Sequence, residues 1–482
     1  PDPCFEKTLR LLTESDLVER VVIVSREPVP LKKNRGCLLV IGALPSQETV
    51  LQILAQTQTK HLLFLLEGTR ISFEPENLER LLRTAEDQKA GIAYSDFYLE
   101  REGVKVRRPL NDYQPGSVRD DFDFGAMILF SVPAARQAFK RYGLTQGVQH
   151  AGLYDLRLKV SIDYPVCHLS EPLYCVIAAK EPSGIQRMFA YVDPRNEVVQ
   201  REMETVFTDY LKRIEAYLPS SRLREVEETP GSFPVAASVV TPVKNRKGTI
   251  AEAVKSAMSQ ETDFPFNVIV VDNHSTDGTT QVLSDLTRQY PTLKHIIPLR
   301  TDLGIGGCWN EALHHEACGR YAVQLDSDDL YSGPRALYEM IRTLRQGSQA
   351  MVIGSYTLVN FRLEEIPPGL IDHREWTEGN GHNNALRING LGAPRAFNTS
   401  LMRRLGFRNV SYGEDYAAAL RICREYRIGR IYESLYLCRR WAGNTDTGLN
   451  IAEANRNDAF KDKIRTDEIL ARRKMLGVGI ME

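Results

Sequence analysis

Acidic side chains gather in two short stretches of this sequence. Residues 325–334 read LDSDDLYSGP, with Asp326, Asp328 and Asp329 close together. Carboxylates crowded at one strand end repel one another, and a bound cation relieves that repulsion. Hard oxygen ligands at this density suit Mg2+ or Mn2+ bridging to a diphosphate. A calcium EF-hand loop fits poorly, because Leu330 and Tyr331 stand where it needs an oxygen ligand and a glycine. The plainer alternative is an acidic cap on the helix that follows. Residues 411–426 read SYGEDYAAALRICREY. Gly413 permits a tight turn there, and Glu414 and Asp415 open an amphipathic helix. Acids in a first helical turn often only complement the helix dipole. A carboxylate aimed into a cleft is also a general base, able to take the proton of an attacking hydroxyl.

Two further loops join them. In SVVTPVKNRKGTIAEAVKSAMSQ (238–260) a strand ends at Thr241 and Pro242, a loop holds Asn245 and Arg246, and a helix follows. In VIVVDNHSTDGTT (268–280) a strand delivers Asp272 and Asn273 to its carboxyl end, and Ser275, Thr276 and Asp277 turn into a helix. A carboxylate at such an end can accept hydrogen bonds from a base edge or a ribose. Helix capping by Ser275 or Asp277 is the alternative. DLGIGGCWN (302–310) is glycine-rich but fails the dinucleotide fingerprint, because Trp309 stands at the third glycine. The polar insert at 372–392 carries His373, Trp376 and His382 and reads as an acceptor-side loop, with an ordinary surface loop as the alternative. Its histidines fit no usual metal spacing.

The elements that must position these residues alternate between apolar strands and amphipathic helices. Strand-like runs fall at 21–25, 37–42, 61–67, 236–242, 266–272 and 321–326. Several are apolar on both faces, as in a covered parallel sheet, so the fold class is α/β. Ligands of such sheets bind outside the carboxyl ends of the strands, where all four loops lie. A length of 482 residues predicts two or three domains. A net charge of -1 gives no bulk attraction for nucleic acid. The 8 cysteines form no CxxC pair, which argues against zinc and against a disulfide scaffold. Reduced thiols, no apolar run of membrane-spanning length and no visible signal peptide make a cytoplasmic protein the expectation.

The chain also repeats itself. Glu67 to Pro75 lies on Asp326 to Pro334, and residues 152–174 lie without gaps on 414–436. Tyr154, Leu158, Tyr164, Glu171, Leu173 and Tyr174 then meet identical residues. FGAMILF (124–130) meets LGAPRAF (391–397), and Ser25 falls near Asp272. The first copy has no partner for the strand AASVVTP. Its positions opposite Asp326, Asp328, Glu414 and Asp415 are Glu67, Thr69, Gly152 and Leu153, so the chemistry is gone from it. Asp155 and Asp96 are acids there without a visible role. The expected layout is a degenerate domain at 1–185, a helical connector and linker at 186–233, a catalytic domain at 234–445 and a C-terminal helical tail at 446–482.

TPVKNR, VIVVDNHSTDGT, LDSDD, GEDYAAALR and LYLCRRWAGN, in this order between about Pro234 and Thr445, resemble a family 2 glycosyltransferase of the GT-A fold. The resemblance implies two GT-A-like, Rossmann-like domains, the first of them degenerate. It implies a metal-dependent, inverting transfer from a nucleotide-diphospho-sugar to a saccharide or lipid-linked acceptor. Thr241, Pro242, Asn245, Arg246, Asp272, Asn273, Asp277 and Asn310 would line the nucleotide-sugar pocket. Ser327 would join them, Asp326 would sit by the ribose, Asp328 would hold Mn2+ or Mg2+, and Asp415 would be the base. Glu414, Arg439, Trp441 and His382 would belong to the acceptor side or a closing loop. Trp441 stands where the family often has His, and Asn273 where an acid is commoner. The reading allows peripheral membrane contact and a homo-oligomer. A polymerase with two active sites, a nucleotidyltransferase, a carbohydrate-binding protein and a retaining transferase stay open as alternatives.

Overall fold

The computed structural model describes residues 3–28, 37–66, 70–177, 196–227, 232–441, 443–444 and 449–477. These divide into two compact units. The first holds the chain up to residue 177 together with 196–217 and 449–477, and the second holds 218–444.

The first unit opens with two strands, β1 (Val21–Ser25) and β2 (Cys37–Ile41), paired parallel to each other. Its main sheet is built from β3 (His61–Leu65), β4 (Arg70–Ser72), β5 (Ile92–Arg101), β6 (Val104–Arg108), β7 (Met127–Ser131) and β8 (Val166–Ile177). The order is β3-β7-β5-β8-β4, with β6 on β5. In the second unit the strands are β9 (Ala237–Val243), β10 (Phe266–Asp272), β11 (Leu293–Ile296), β12 (Tyr321–Gln324), β13 (Leu330–Tyr331), β14 (Met351–Val359), β15 (Glu365–Ile371), β16 (Arg395–Asn398) and β17 (Ile428–Arg439). Their order is β11-β10-β9-β12-β16-β14-β17-β13, with β15 on β14. Val268, Ile269, Val270 and Val271 are all 0% exposed, as helix-covered parallel strands require. Burial of each stabilises by about 1.5–3 kcal/mol over an exposed position.

The repeat read from the sequence is present in the topology. The path β12-β16-β14-β17-β13 retraces β3-β7-β5-β8-β4, and β15 on β14 retraces β6 on β5. Every step keeps its parallel or antiparallel sense. Register agrees as well. Ile92 pairs with Val166 and Phe97 with Tyr174, and their counterparts Met351 and Tyr356 pair with Ile428 and Tyr436. Both ladders slip between those pairs, in the same place. A side-chain pin recurs too: Tyr154 Oη donates to the Val118 carbonyl at 2.6 Å, and Tyr416 Oη to the Ala385 carbonyl at 2.7 Å. The parallel pair β1-β2 has its likeness in β10-β11, and no described strand of the first unit answers to β9.

The loose acids of the first unit have partners. Asp155 is buried and accepts from Gln47 Nε2 at 3.0 Å, Thr145 Oγ1 at 3.0 Å and Lys159 Nζ at 2.5 Å. Asp96 is buried, accepts from the Leu110 backbone at 2.8 Å and pairs with Arg107 at 2.8 Å. Glu67 and Thr69 lie outside the described residues.

Two segments differ from the expected layout. The helix Glu197–Arg213, read as a connector, buries Val206, Phe207, Tyr210 and Leu211 within the first unit. The helix Ile451–Met475, read as a tail, also belongs to that unit. Its buried Asp462 accepts from Ser117 Oγ at 2.8 Å, and Thr466 Oγ1 accepts from the Gly116 amide at 2.9 Å. A charged helical pattern concealed this docking, because Ile464 and Ile469 are buried among mostly polar groups rather than in an apolar stripe. Among the described residues no helix is long and apolar enough to cross a membrane.

Candidate functional site

The parallel run β11, β10, β9, β12 sets four carboxyl ends along one sheet edge. Thr241 is buried in β9 and Pro242 is half-buried. The loops after β9 and β10 are laced together. Asn245, at φ 54, donates its amide to Ser275 Oγ at 2.9 Å and accepts from the Thr276 amide at 2.8 Å. The Arg246 amide donates to Thr279 Oγ1 at 2.8 Å. Asp277 accepts from the Lys247 amide at 3.0 Å and from the Thr279 amide at 2.9 Å, at the start of the helix Thr279–Gln289. Burial raises the Asp277 pKa, but these donors outweigh it and hold the carboxyl below its ordinary range. Its side chain thus braces the Lys247 loop against the helix start, where Gly278 is the N-cap.

Asp272 is 0% exposed and its two oxygens are engaged. Oδ1 accepts from the Ser275 amide at 3.0 Å, and Oδ2 from Thr280 Oγ1 at 2.6 Å, with His295 Nε2 at 3.4 Å. Burial pushes its pKa up, yet the donors from Ser275, Thr280 and His295 prevail and keep it low. Asn273 beside it donates Nδ2 to the Leu303 carbonyl at 2.7 Å. Its Oδ1 is buried without a partner among the described residues. An unmet buried acceptor costs about 1–3 kcal/mol, so this oxygen is the better candidate for a ligand N–H.

The acid cluster follows β12. The Asp326 amide donates to Tyr436 Oη at 2.9 Å, and both Asp326 oxygens accept from Gln324 Nε2, at 3.0 and 3.1 Å. Burial raises Asp326, and the Asp328 charge adds to it. Burial also lifts Asp329 well above the carboxylate range, followed by repulsion from Asp326 and Asp328. Ser327 is buried between them. Asp328 Oδ2 accepts from Trp441 Nε1 at 3.0 Å and Asn444 Nδ2 at 3.3 Å, with Arg246 Nε at 3.9 Å. Arg439, 1% exposed, donates Nε to the Asp328 carbonyl and pairs Nη1 with Glu252, while Nη2 is buried without a partner among the described residues. Burial and mutual repulsion thus disfavour the ionised forms of Asp326 and Asp329. Among the described residues no three His, Cys, Asp or Glu side chains are arranged to hold a metal alone. One available carboxylate beside raised acids fits a cation that takes its remaining ligands from phosphate and water.

Gly413, at φ 75, caps the helix Glu414–Cys423. Upstream, Gly306 lets the helix Ile305–His314 press on the Arg408 carbonyl, where an added Cβ would lie at 1.9 Å. Asp415 is 31% exposed and pairs with Arg395 Nη2 at 2.6 Å. Glu414 is 9% exposed, and burial, then the Asp415 charge, pushes its pKa up to about 8. The protonated form of Glu414 is thereby favoured.

The family model described as Glycosyl transferase family 2 matches residues 238–410. Those residues are a family 2 glycosyl transferase domain. Rv1520 of Mycobacterium tuberculosis H37Rv, an uncharacterized protein, is 29% identical over 115 residues, covering 24% of this chain and 33% of that one. This chain thus spans about a third of that relative's length. EpsE of Bacillus subtilis strain 168, which carries the name of a glycosyltransferase, is 27% identical over 241 residues, covering 48% of this chain and 77% of that one. Among solved structures, S. aureus TarS 1-349 in complex with UDP-GlcNAc is 22% identical with a TM-score of 0.38, covering 50% of this chain and 73% of that one.

The matched stretch of the glycosyl transferase domain ends before Gly413, so Glu414 and Asp415 rest on geometry and on the motif. Two expectations within the domain need correcting. Asn310 donates to the Phe407 carbonyl at 2.9 Å and accepts from the Phe407 amide at 2.9 Å, so both ends of its amide brace a loop. His382 is 2% exposed, with Nε2 at 2.7 Å from the Leu218 carbonyl. The second half of the insert is interior, so His382 fixes a buried turn rather than presenting itself to an acceptor. Arg395 escaped the sequence reading. Its one signal was a lone arginine in the otherwise apolar strand of LGAPRAF.

Proposed function

We propose that the second unit moves a sugar from a nucleotide-diphospho-sugar to a hydroxyl of a saccharide or lipid-linked acceptor, in one inverting displacement. The observation that carries this reading is a hydrogen-bonded chain, Asp326–Gln324–Arg395–Asp415, linking the strand-end acids to the helix-start acid. Donor-side and acceptor-side chemistry thus share one edge of the sheet.

Asn273 Oδ1 offers an acceptor to a base N–H, Asp326 to ribose hydroxyls, and Arg439 Nη2 a donor to diphosphate oxygen. Mg2+ or Mn2+ held by Asp328 would act as a Lewis acid against the charge that builds on the departing nucleoside diphosphate. Asp415 takes the acceptor proton as the new C–O bond forms on the face opposite the breaking one. Glu414, protonated, does not compete for that proton. We read the first unit as a degenerate copy without catalysis. Leu153 and Gly152 hold the places of Asp415 and Glu414, and Asp155 is committed to Lys159. The test compares nucleoside diphosphate release from UDP- and GDP-sugars with Mn2+ by the wild-type chain and by Asp415→Asn. Release by the wild type and its loss in the variant support the proposal; equal release overturns the role of Asp415.

A further inference from the structure

We infer that Arg395 is the positioning residue of this site, holding Asp415 in place and tying it to the donor side. The inference rests on Asp415 being the base. Three observations support it. First, β16 runs antiparallel to β12, with Val323 opposite Ala396, so the first residue of β16 falls at the carboxyl end of β12. Second, the Arg395 guanidinium is 13% exposed and divided between two partners. Nη2 meets Asp415 Oδ2 at 2.6 Å, and Nη1 donates to Gln324 Oε1 at 3.1 Å. Third, the far end of that glutamine clasps both oxygens of Asp326. A planar fork bound at two points fixes direction as well as charge, which a point charge on a flexible stem does not.

The charges around Asp415 make this arginine necessary. Glu414 precedes it on the same helix, and Asp326 and Asp328 stand at the end of β12. Arg246 stands 3.9 Å from Asp328, while Arg395 is the cation paired with Asp415. Its second bond makes the base answer to what Asp326 holds.

The test measures steady-state release of nucleoside diphosphate by the full chain, with Mn2+ and whichever UDP- or GDP-sugar the wild type turns over fastest. Arg395→Met is expected to lower kcat at least tenfold and leave donor KM within threefold. It should also move the acid-side midpoint of the kcat–pH profile upward by about one unit, because the cation that favours the ionised base is gone. Arg395→Lys is expected to restore the midpoint while recovering only part of kcat, because it keeps the charge and loses the fork. A kcat within twofold of wild type, or a loss of kcat with the midpoint unmoved, overturns the inference. If Arg395→Met melts below the assay temperature, Arg395→Gln is read by the same criteria. Asp415→Asn run in parallel separates the two ideas. If it is inactive while Arg395→Met behaves as wild type, only the role of Arg395 is lost. If Asp415→Asn turns over normally, the base assignment falls and takes this inference with it.

Discussion

Glu414→Gln is a direct probe of the electrostatics at this site. The native carboxyl is 9% exposed and its pKa lies at about 8, against an ordinary glutamate value of 4.5. Between those limits the unfolded chain releases the proton while the folded chain retains it. Stability must therefore fall as pH rises through that window. Each pKa unit is worth about 1.4 kcal/mol, so moving from pH 4.5 to pH 7 forfeits roughly 2–3 kcal/mol once sharing with Asp415 is allowed for. For a unit of this size that corresponds to roughly 4–12 °C in Tm. Glutamine copies the protonated shape and does not titrate, so the variant should lose less stability across the same range. The three tryptophans, Trp309, Trp376 and Trp441, all lie in the second unit, so their fluorescence follows its unfolding alone. Urea titrations at intervals from pH 5 to 8 give both slopes, and the difference between variants cancels the titrating groups that are not coupled to Glu414. Identical slopes for wild type and Glu414→Gln would refute the assignment of a buried, proton-bearing carboxyl.

Two other perturbations test separate parts of the account. Asp328→Ala should abolish the Mn2+-dependent stabilisation by UDP or GDP, which for a competent site is worth about 2.7 kcal/mol at a hundredfold excess over Kd. Undiminished stabilisation in a thermal-shift assay would remove Asp328 from the metal site. Tyr154→Phe and Tyr416→Phe each delete the same hydroxyl pin, one in each unit, and each should destabilise its own unit by about 1–2 kcal/mol. A loss in one unit without a loss in the other, measured by urea unfolding, would contradict the structural equivalence of the two tyrosines.

The duplication was legible in the sequence because its evidence is local: turns of equal length and identical residues at a steady offset. The matching ladders of β5 with β8 and β14 with β17 show that those residues mark one backbone path. Sheet order was not legible, since β16 inserts between β12 and β14 through contacts remote in sequence. Arg395 was missed for that reason, because only the antiparallel placement of β16 brings it to Gln324. The acids at 326, 328 and 415 stood out in the sequence by residue type and spacing. Asn310 and His382 could not be placed from type alone, because polar side chains serve equally to bind ligands and to brace backbone. Asp272 and Asn273 illustrate the same difficulty in adjacent positions. The charged residue is consumed by its own turn, and the amide beside it keeps an acceptor without a partner among the described residues.

The most direct test of the central claim measures two quantities on Asp415→Asn and the wild type side by side. The first is nucleoside diphosphate release from a UDP- or GDP-sugar with Mn2+, and the second is the affinity for UDP or GDP under the same conditions. The variant is expected to lose turnover by at least a thousandfold while its affinity stays within about threefold of wild type, since proton removal and nucleotide binding use different residues. Turnover of the variant at the wild-type rate would contradict the account.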